Sequence, residues 1–186
     1  MNRNSTLYKM IISALLLAIG LCLPFILGQV EVLGQAISPL HIPALLCGLT
    51  CGPLWGAALG AVLPVMRSLL FGMPPMPAAI PMAFELAVYG AATGLLYPLL
   101  TRLFKKDNRL PAMITSMLIA MILGRIVGGA AKAVMMGIQG SAYTFQTFIA
   151  AYFTGTAAGA AVHLIVIPAV AVALEKAGLS AVFPHS

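Results

Sequence analysis

Arg125 and Lys132 stand seven residues apart in a stretch, 112–136, that is otherwise almost wholly apolar. Seven residues are two helical turns, so both cations fall on one face of a helix. Gly128 and Gly129 lie between them and leave that face open. A second pair of charges frames a proline-rich turn. Arg67 precedes Gly72-Met-Pro-Pro-Met-Pro77 and Glu85 follows it, again in apolar surroundings. An ionisable side chain at the centre of a bilayer costs about 2.5–3.5 kcal/mol on insertion scales, so each of these residues is a functional-site candidate. Three cations against one carboxylate suit a small anion, such as a carboxylate. Tyr89, one turn after Glu85, and His163, in the last apolar stretch, add polar groups to the set. Met73, Met76 and Phe84 are candidates for the apolar part of the same pocket.

Each candidate has a structural account beside the functional one. Glu85 as the ion-pair partner of Arg67 or Lys132 explains one cation of three. Lys132 can extend to lipid headgroups, which is harder for a mid-span Arg125. A histidine hydrogen-bonded between helices is an ordinary packing feature, and His163 alone carries little.

Composition decides what must hold these groups. The 186 residues are 61% hydrophobic and 8% charged, with a mean hydropathy of +1.05. Soluble chains are about 25% charged, so the sequence predicts one all-α integral membrane domain over residues 1–186. A spanning helix needs about 20 residues, which leaves room for six spans near 7–27, 40–52, 56–71, 79–100, 112–136 and 145–174. The second is short and interrupted by Pro43. The apolar N-terminal stretch is too long for a signal-peptide core and reads as a retained span. Gly56, Gly60 and Pro64 form a small-residue face suited to close helix contact.

Orientation follows from Lys and Arg placement. With six spans, one side holds Arg3, Lys9, Arg102, Lys105, Lys106, Arg109 and Lys176, whereas loops 29–40, 72–78 and 137–144 hold no Lys or Arg. The positive-inside rule puts both termini in the cytoplasm. Arg67, Glu85, Lys132 and His41 then fall in the outer half of the bilayer, and Arg125 and His163 near mid-depth.

Several chemistries are excluded. There is no Walker A sequence for ATP hydrolysis. There is no HExxH and no GxSxG, and too few acidic residues remain for carboxylate catalysis. Catalytic residues, metals and cofactors are therefore expected to be none. Cys47 and Cys51 sit four apart, but no second Cys/His pair stands at ligand spacing, so they read as packing residues.

Four features resemble the substrate-binding S components of energy-coupling factor (ECF) vitamin transporters. These are the size and six-span layout, Ala14-Leu-Leu-Leu-Ala18 in span 1, His41-Ile-Pro-Ala-Leu-Leu-Cys-Gly-Leu-Thr-Cys-Gly-Pro53-Leu-Trp-Gly56, and Gly72-Met-Pro-Pro with Pro81-Met-Ala-Phe-Glu85-Leu-Ala-Val-Tyr-Gly90. The resemblance covers essentially the whole chain. It implies a prokaryotic, plasma-membrane, substrate-capture subunit that works with a transmembrane T component and two ATP-binding subunits. It implies docking through Ala14 and Ala18. It also implies an outward pocket on spans 4–6, with the first loop as its lid. Matching positions are Glu85, Tyr89, Arg125, Lys132 and His163. Apart from the resemblance, orientation makes Arg67 and Glu85 the wall that shapes the site, and Arg125 and Lys132 the better candidates for the substrate's charge. The charge balance favours an anionic vitamin, pantothenate first and nicotinate next, and leaves cobalamin open. Two other readings compete: a proton-coupled secondary transporter using Glu85 and His163, and a membrane assembly protein whose charges only pair helices.

Overall fold

The computed structural model describes residues 6–27, 38–104, 109–141 and 143–174. The expected lid, in the first loop, and the cationic tails lie largely outside the described residues. In apolar surroundings every backbone N–H and C=O must be satisfied within its own segment, which favours helices. The chain forms α1 (Thr6–Leu27), α2 (His41–Cys51), α3 (Pro53–Phe71), α4 (Met76–Leu103), α5 (Arg109–Ile138), α6 (Phe145–Ile149) and α7 (Ala157–Leu174), with a π segment at Ala150–Thr154. Among the described residues, five helical stretches are long and apolar enough to cross a membrane: α1, α3, α4, α5 and the run Phe145–Ala173. Helix α2 has only 11 residues. At 1.5 Å per residue it is about 16 Å long, against about 30 Å of bilayer hydrocarbon.

Polarity is arranged inside out. Large apolar side chains such as Leu15, Leu54, Leu95 and Ile165 are exposed, whereas His41, Arg67, Glu85, Ser116 and His163 are buried. That arrangement suits a lipid surround, where apolar side chains face the solvent and polar ones face each other.

Helix α4 is the central element and packs on α2, α3 and α5. Glycine makes this possible at one junction. A Cβ on Gly90 would meet the backbone of Gly56, and a Cβ on Gly48 would meet the Gly90 carbonyl. Backbones of α2, α3 and α4 therefore touch where no side chain intervenes. The small-residue face of α3 continues at Gly60, which lies against the backbone of Leu86 and Ala87 on α4. Short α2 is the most enclosed element, with nine of its 11 residues buried. Its apolar residues Leu45 and Leu49 join Tyr89, Tyr97, Met117 and Ile167 in one core cluster. By contrast, α1 rests on α2 and α3 through one face. Its other face, with Ala14, Ala18 and Cys22, is exposed.

Two helix starts and the course of the last span differ notably from the pattern expected of the sequence. Helix α3 begins at Pro53, with Gly52 as its cap at φ 93°. Helix α4 begins at Met76, inside the proline-rich turn. In both cases proline occupies the first helical turn, where its missing N–H has no intrahelical partner to lose. The last span is not one regular helix. The Gly155 amide bonds the Ala150 carbonyl at 2.9 Å, five residues back, and the Thr154 and Thr156 hydroxyls bond carbonyls one turn behind them. These bonds interrupt the α ladder between α6 and α7.

Candidate substrate site

A cavity of ≈ 170 Å³ opens at the end of the bundle where α2 starts, α4 starts and α5 finishes. Helix α4 contributes Ala78, Pro81, Met82, Glu85 and Tyr89, a stripe at helical spacing. Helix α5 contributes Met121, Arg125 and Lys132 from its facing side. His41 enters from the first turn of α2, Tyr152 from the π segment, and His163 from α7.

The α4–α5 seam explains how the acidic group is held. A Cβ at Gly124 would overlap the Tyr89 ring, and a Cβ at Gly128 would lie 2.7 Å from Glu85 Cβ. The pair Glu85 and Tyr89 on α4 thus seats on the pair Gly124 and Gly128 on α5, four residues apart on both helices. The expected open face around Gly128 and Gly129 is occupied: Glu85 fills the first glycine and the Phe148 ring covers the second. Glu85 consequently reaches α5 between Arg125 and Lys132 in sequence, with its Oε2 3.3 Å from the Gly128 Cβ position.

Around Glu85 the polar groups are linked. The Tyr89 hydroxyl donates to Glu85 Oε1 at 2.7 Å. His41 Nε2 lies 3.5 Å from the same oxygen, and His41 Nδ1 lies 2.8 Å from the Ser38 carbonyl oxygen. The His41 ring is 5.1 Å from that of Tyr89 and 5.4 Å from that of His163. Arg125 donates to the Thr156 carbonyl at 3.2 Å and its guanidinium lies 5.8 Å from the centre of the Phe153 ring. A guanidinium has five N–H donors, so this anchor leaves others for the cavity. Arg125 and Lys132 are both half-buried.

The structure therefore brings Glu85, Tyr89, Arg125, Lys132 and His163 to one cavity. It does not bring Arg67 there. Arg67 is buried at the α1–α3 seam, where it donates to the Leu21 carbonyl at 2.6 Å. Its guanidinium lies 4.9 Å from the centre of the Phe25 ring and 5.6 Å from that of Phe71. The physical reason is local: Arg67 lies on the face of α3 that packs on α1, where the Leu21 carbonyl and the Phe25 and Phe71 rings are within its reach. Removing Arg67 from the site leaves Arg125 and Lys132 against Glu85, a surplus of one positive charge with neutral histidines.

The apolar lining also differs from expectation. Met73 and Phe84 are exposed, and Met76 is not at the cavity; Met82 and Met121 take that role. Phe84 precedes Glu85 by one residue, a rotation of about 100° on a helix, whereas Met82 precedes it by three. His41 was legible as a polar residue at the start of a short apolar stretch. Its partner Glu85 was not, because no sequence spacing links α2 to α4. Among the described residues no group of His, Cys, Asp and Glu is arranged to hold a metal ion.

Comparison with known proteins gives one match. Residues 8–183 match the family model of the ECF transporter substrate-specific component. No curated protein matches, and no solved structure matches. The match covers nearly the whole chain, including α1 and every wall of the cavity. The chain belongs to this family: it is a substrate-specific component of an ECF transporter, a multi-pass membrane protein of transport rather than an enzyme.

Proposed function

We propose that this protein captures a small anionic vitamin from the outer face of the cell membrane, with pantothenate the first candidate and nicotinate the second. One observation carries the reading: both α5 cations, Arg125 and Lys132, line the cavity that also holds Glu85, Tyr89 and His163. Hydrogen bonds from a guanidinium to a carboxylate are charge-assisted and strengthen away from water. The size of the cavity points the same way. Ligand pockets usually run to about 300–1,000 Å³, and this one, at ≈ 170 Å³, suits a compact ligand and argues against cobalamin.

The transport cycle belongs to the proposal. Six crossings with cytoplasmic termini, counting α2 as a short span, put the cavity mouth outside. Uptake is driven by ATP hydrolysis in two partner subunits, coupled through a transmembrane T component. Docking uses the exposed face of α1, where Ala14 and Ala18 let another helix approach closely. Ala14→Leu with Ala18→Leu should stop uptake in cells while leaving ligand binding by the purified protein within about threefold of wild type. A loss of binding instead would place α1 in the pocket wall.

The substrate is tested by a thermal-shift screen of the detergent-purified protein against a vitamin panel. A ligand that binds only the native state raises its stability by about 2.7 kcal/mol at 100 times its Kd. Pantothenate or nicotinate should give the largest rise in Tm. A rise confined to thiamine, riboflavin or another uncharged or cationic compound would overturn the anionic reading.

A further inference from the structure

A long cation beside a carboxylate ordinarily closes onto it, because a guanidinium–carboxylate contact is charge-assisted. Arg125 and Glu85 line one cavity, and they do not make that contact. Among the described residues the polar contacts of Glu85 run to Tyr89 and His41, and those of Arg125 run to the segment between α6 and α7. There the guanidinium donates to the Thr156 carbonyl at 3.2 Å and lies 5.8 Å from the centre of the Phe153 ring. A ring face within about 6 Å attracts a cation. One N–H is thus tied to a carbonyl while the ring draws the charge to the same side.

Both holding groups come from the break in the last span. Phe153 belongs to the π segment, and Thr156 stands directly before α7. The Thr156 carbonyl also accepts the Ala160 amide at 3.0 Å. A carbonyl has two lone pairs, so it starts the α7 ladder and holds Arg125 together. The segment is fastened to α5 a second time, four residues beyond Arg125. There the Phe148 ring covers Gly129, and the same ring lies 5.7 Å from that of Phe153. The holding groups are therefore placed relative to α5 without help from Arg125 itself.

We propose that Phe153 is a positioning residue for anion recognition: with the Thr156 carbonyl it keeps the Arg125 guanidinium off Glu85 and aims its remaining donors at the ligand's carboxylate. A guanidinium ordered before the ligand arrives loses less freedom on binding. A guanidinium released from Phe153 can instead close onto Glu85 and spend its donors there. The part in recognition rests on the proposed anionic substrate. The holding of Arg125 rests on the contacts alone.

The holding is tested without a ligand, by arginine-selective ¹⁵N NMR of the full chain in detergent, with the Arg125 signal assigned from its loss in Arg125→Met. A held guanidinium gives separate signals for its two Nη groups. Phe153→Leu should merge them, and Phe153→Tyr, which keeps a ring face, should not. Merged signals in wild type, or separate ones in Phe153→Leu, would overturn the holding. Recognition is tested by titrating pantothenate and its uncharged alcohol analogue. Phe153→Leu should weaken pantothenate by about 3- to 10-fold, the scale of a cation–π contact, and leave the alcohol within about twofold. Phe153→Tyr should restore the preference. In an Arg125→Met background, Phe153→Leu should cost no more than about twofold further, because the two residues act as one unit. Equal losses for both ligands, or full additivity with Arg125→Met, would reduce Phe153 to a packing residue and overturn its part in recognition. A wild type with no preference for pantothenate would overturn the anionic reading and this part of the proposal together, and the NMR result on the holding would stand.

Discussion

Two arginines are sunk into this apolar bundle, and they do different things. Arg67, at the α1–α3 seam, is enclosed by the chain away from the cavity: its guanidinium meets the Leu21 carbonyl and the rings of Phe25 and Phe71. Arg125, on α5, meets the Thr156 carbonyl and the Phe153 ring and also lines a cavity beside Lys132, Glu85 and Tyr89. The difference is one of surroundings: one guanidinium is closed in by rings and a carbonyl, and the other faces a cavity. Two aromatic rings and a carbonyl beside a proline kink can neutralise the cost of a buried guanidinium. The same residue type over a cavity can turn its remaining donors toward that cavity.

Variants on each side of this comparison should separate. Arg125→Met should have the largest effect, weakening ligand binding by about 30-fold or more, because removing one partner of a buried charge-assisted pair costs about 2–5 kcal/mol. Equilibrium binding to the purified variant checks this, with a thermal melt to show that the protein stays folded. Gly128→Ala should come next. Its new Cβ would stand 2.7 Å from Glu85 Cβ and force the carboxylate out of its seat. We expect about tenfold weaker binding, in the range of a 1–3 kcal/mol overpacking penalty, measured by the same titration. Arg67→Met should have the smallest effect on binding, a change within about threefold. Its signature is a lower Tm, since the Leu21 carbonyl loses a charged donor worth about 1.5–3 kcal/mol. If Arg67→Met abolishes binding and leaves Tm unchanged, the two arginines do not divide their work as described.

Much of the fold was legible because membrane helices are written in composition. Every helix of α1–α5 overlaps a stretch that the apolar runs marked, and Gly56 and Gly60 announced a close helix contact, though not that its partner would be α4. The interruption at Ala150–Thr154 was not legible: Phe145 to Leu174 reads as one predominantly apolar run, and the break depends on threonine hydroxyls and Gly155 bonding back to particular carbonyls. At the site, the pairing of Arg125 with Lys132 followed from a spacing of two turns within one helix. The contact between His41 and Glu85 joins α2 to α4 and has no sequence spacing to reveal it. Arg67 was misleading for the complementary reason. Its position in an apolar run is visible, but the carbonyl and rings that satisfy it lie on α1 and at the end of its own helix.

The central claim is that α5 supplies the charge that selects an anion. It is tested most directly by titrating wild type and the Arg125→Met/Lys132→Met variant with pantothenate and with its uncharged alcohol analogue. The account predicts that wild type prefers pantothenate by about 100-fold or more, the scale of a charge-assisted contact in a site sheltered from water. It predicts that the double variant, still folded, loses that preference. A double variant that still prefers pantothenate as strongly as wild type would contradict it.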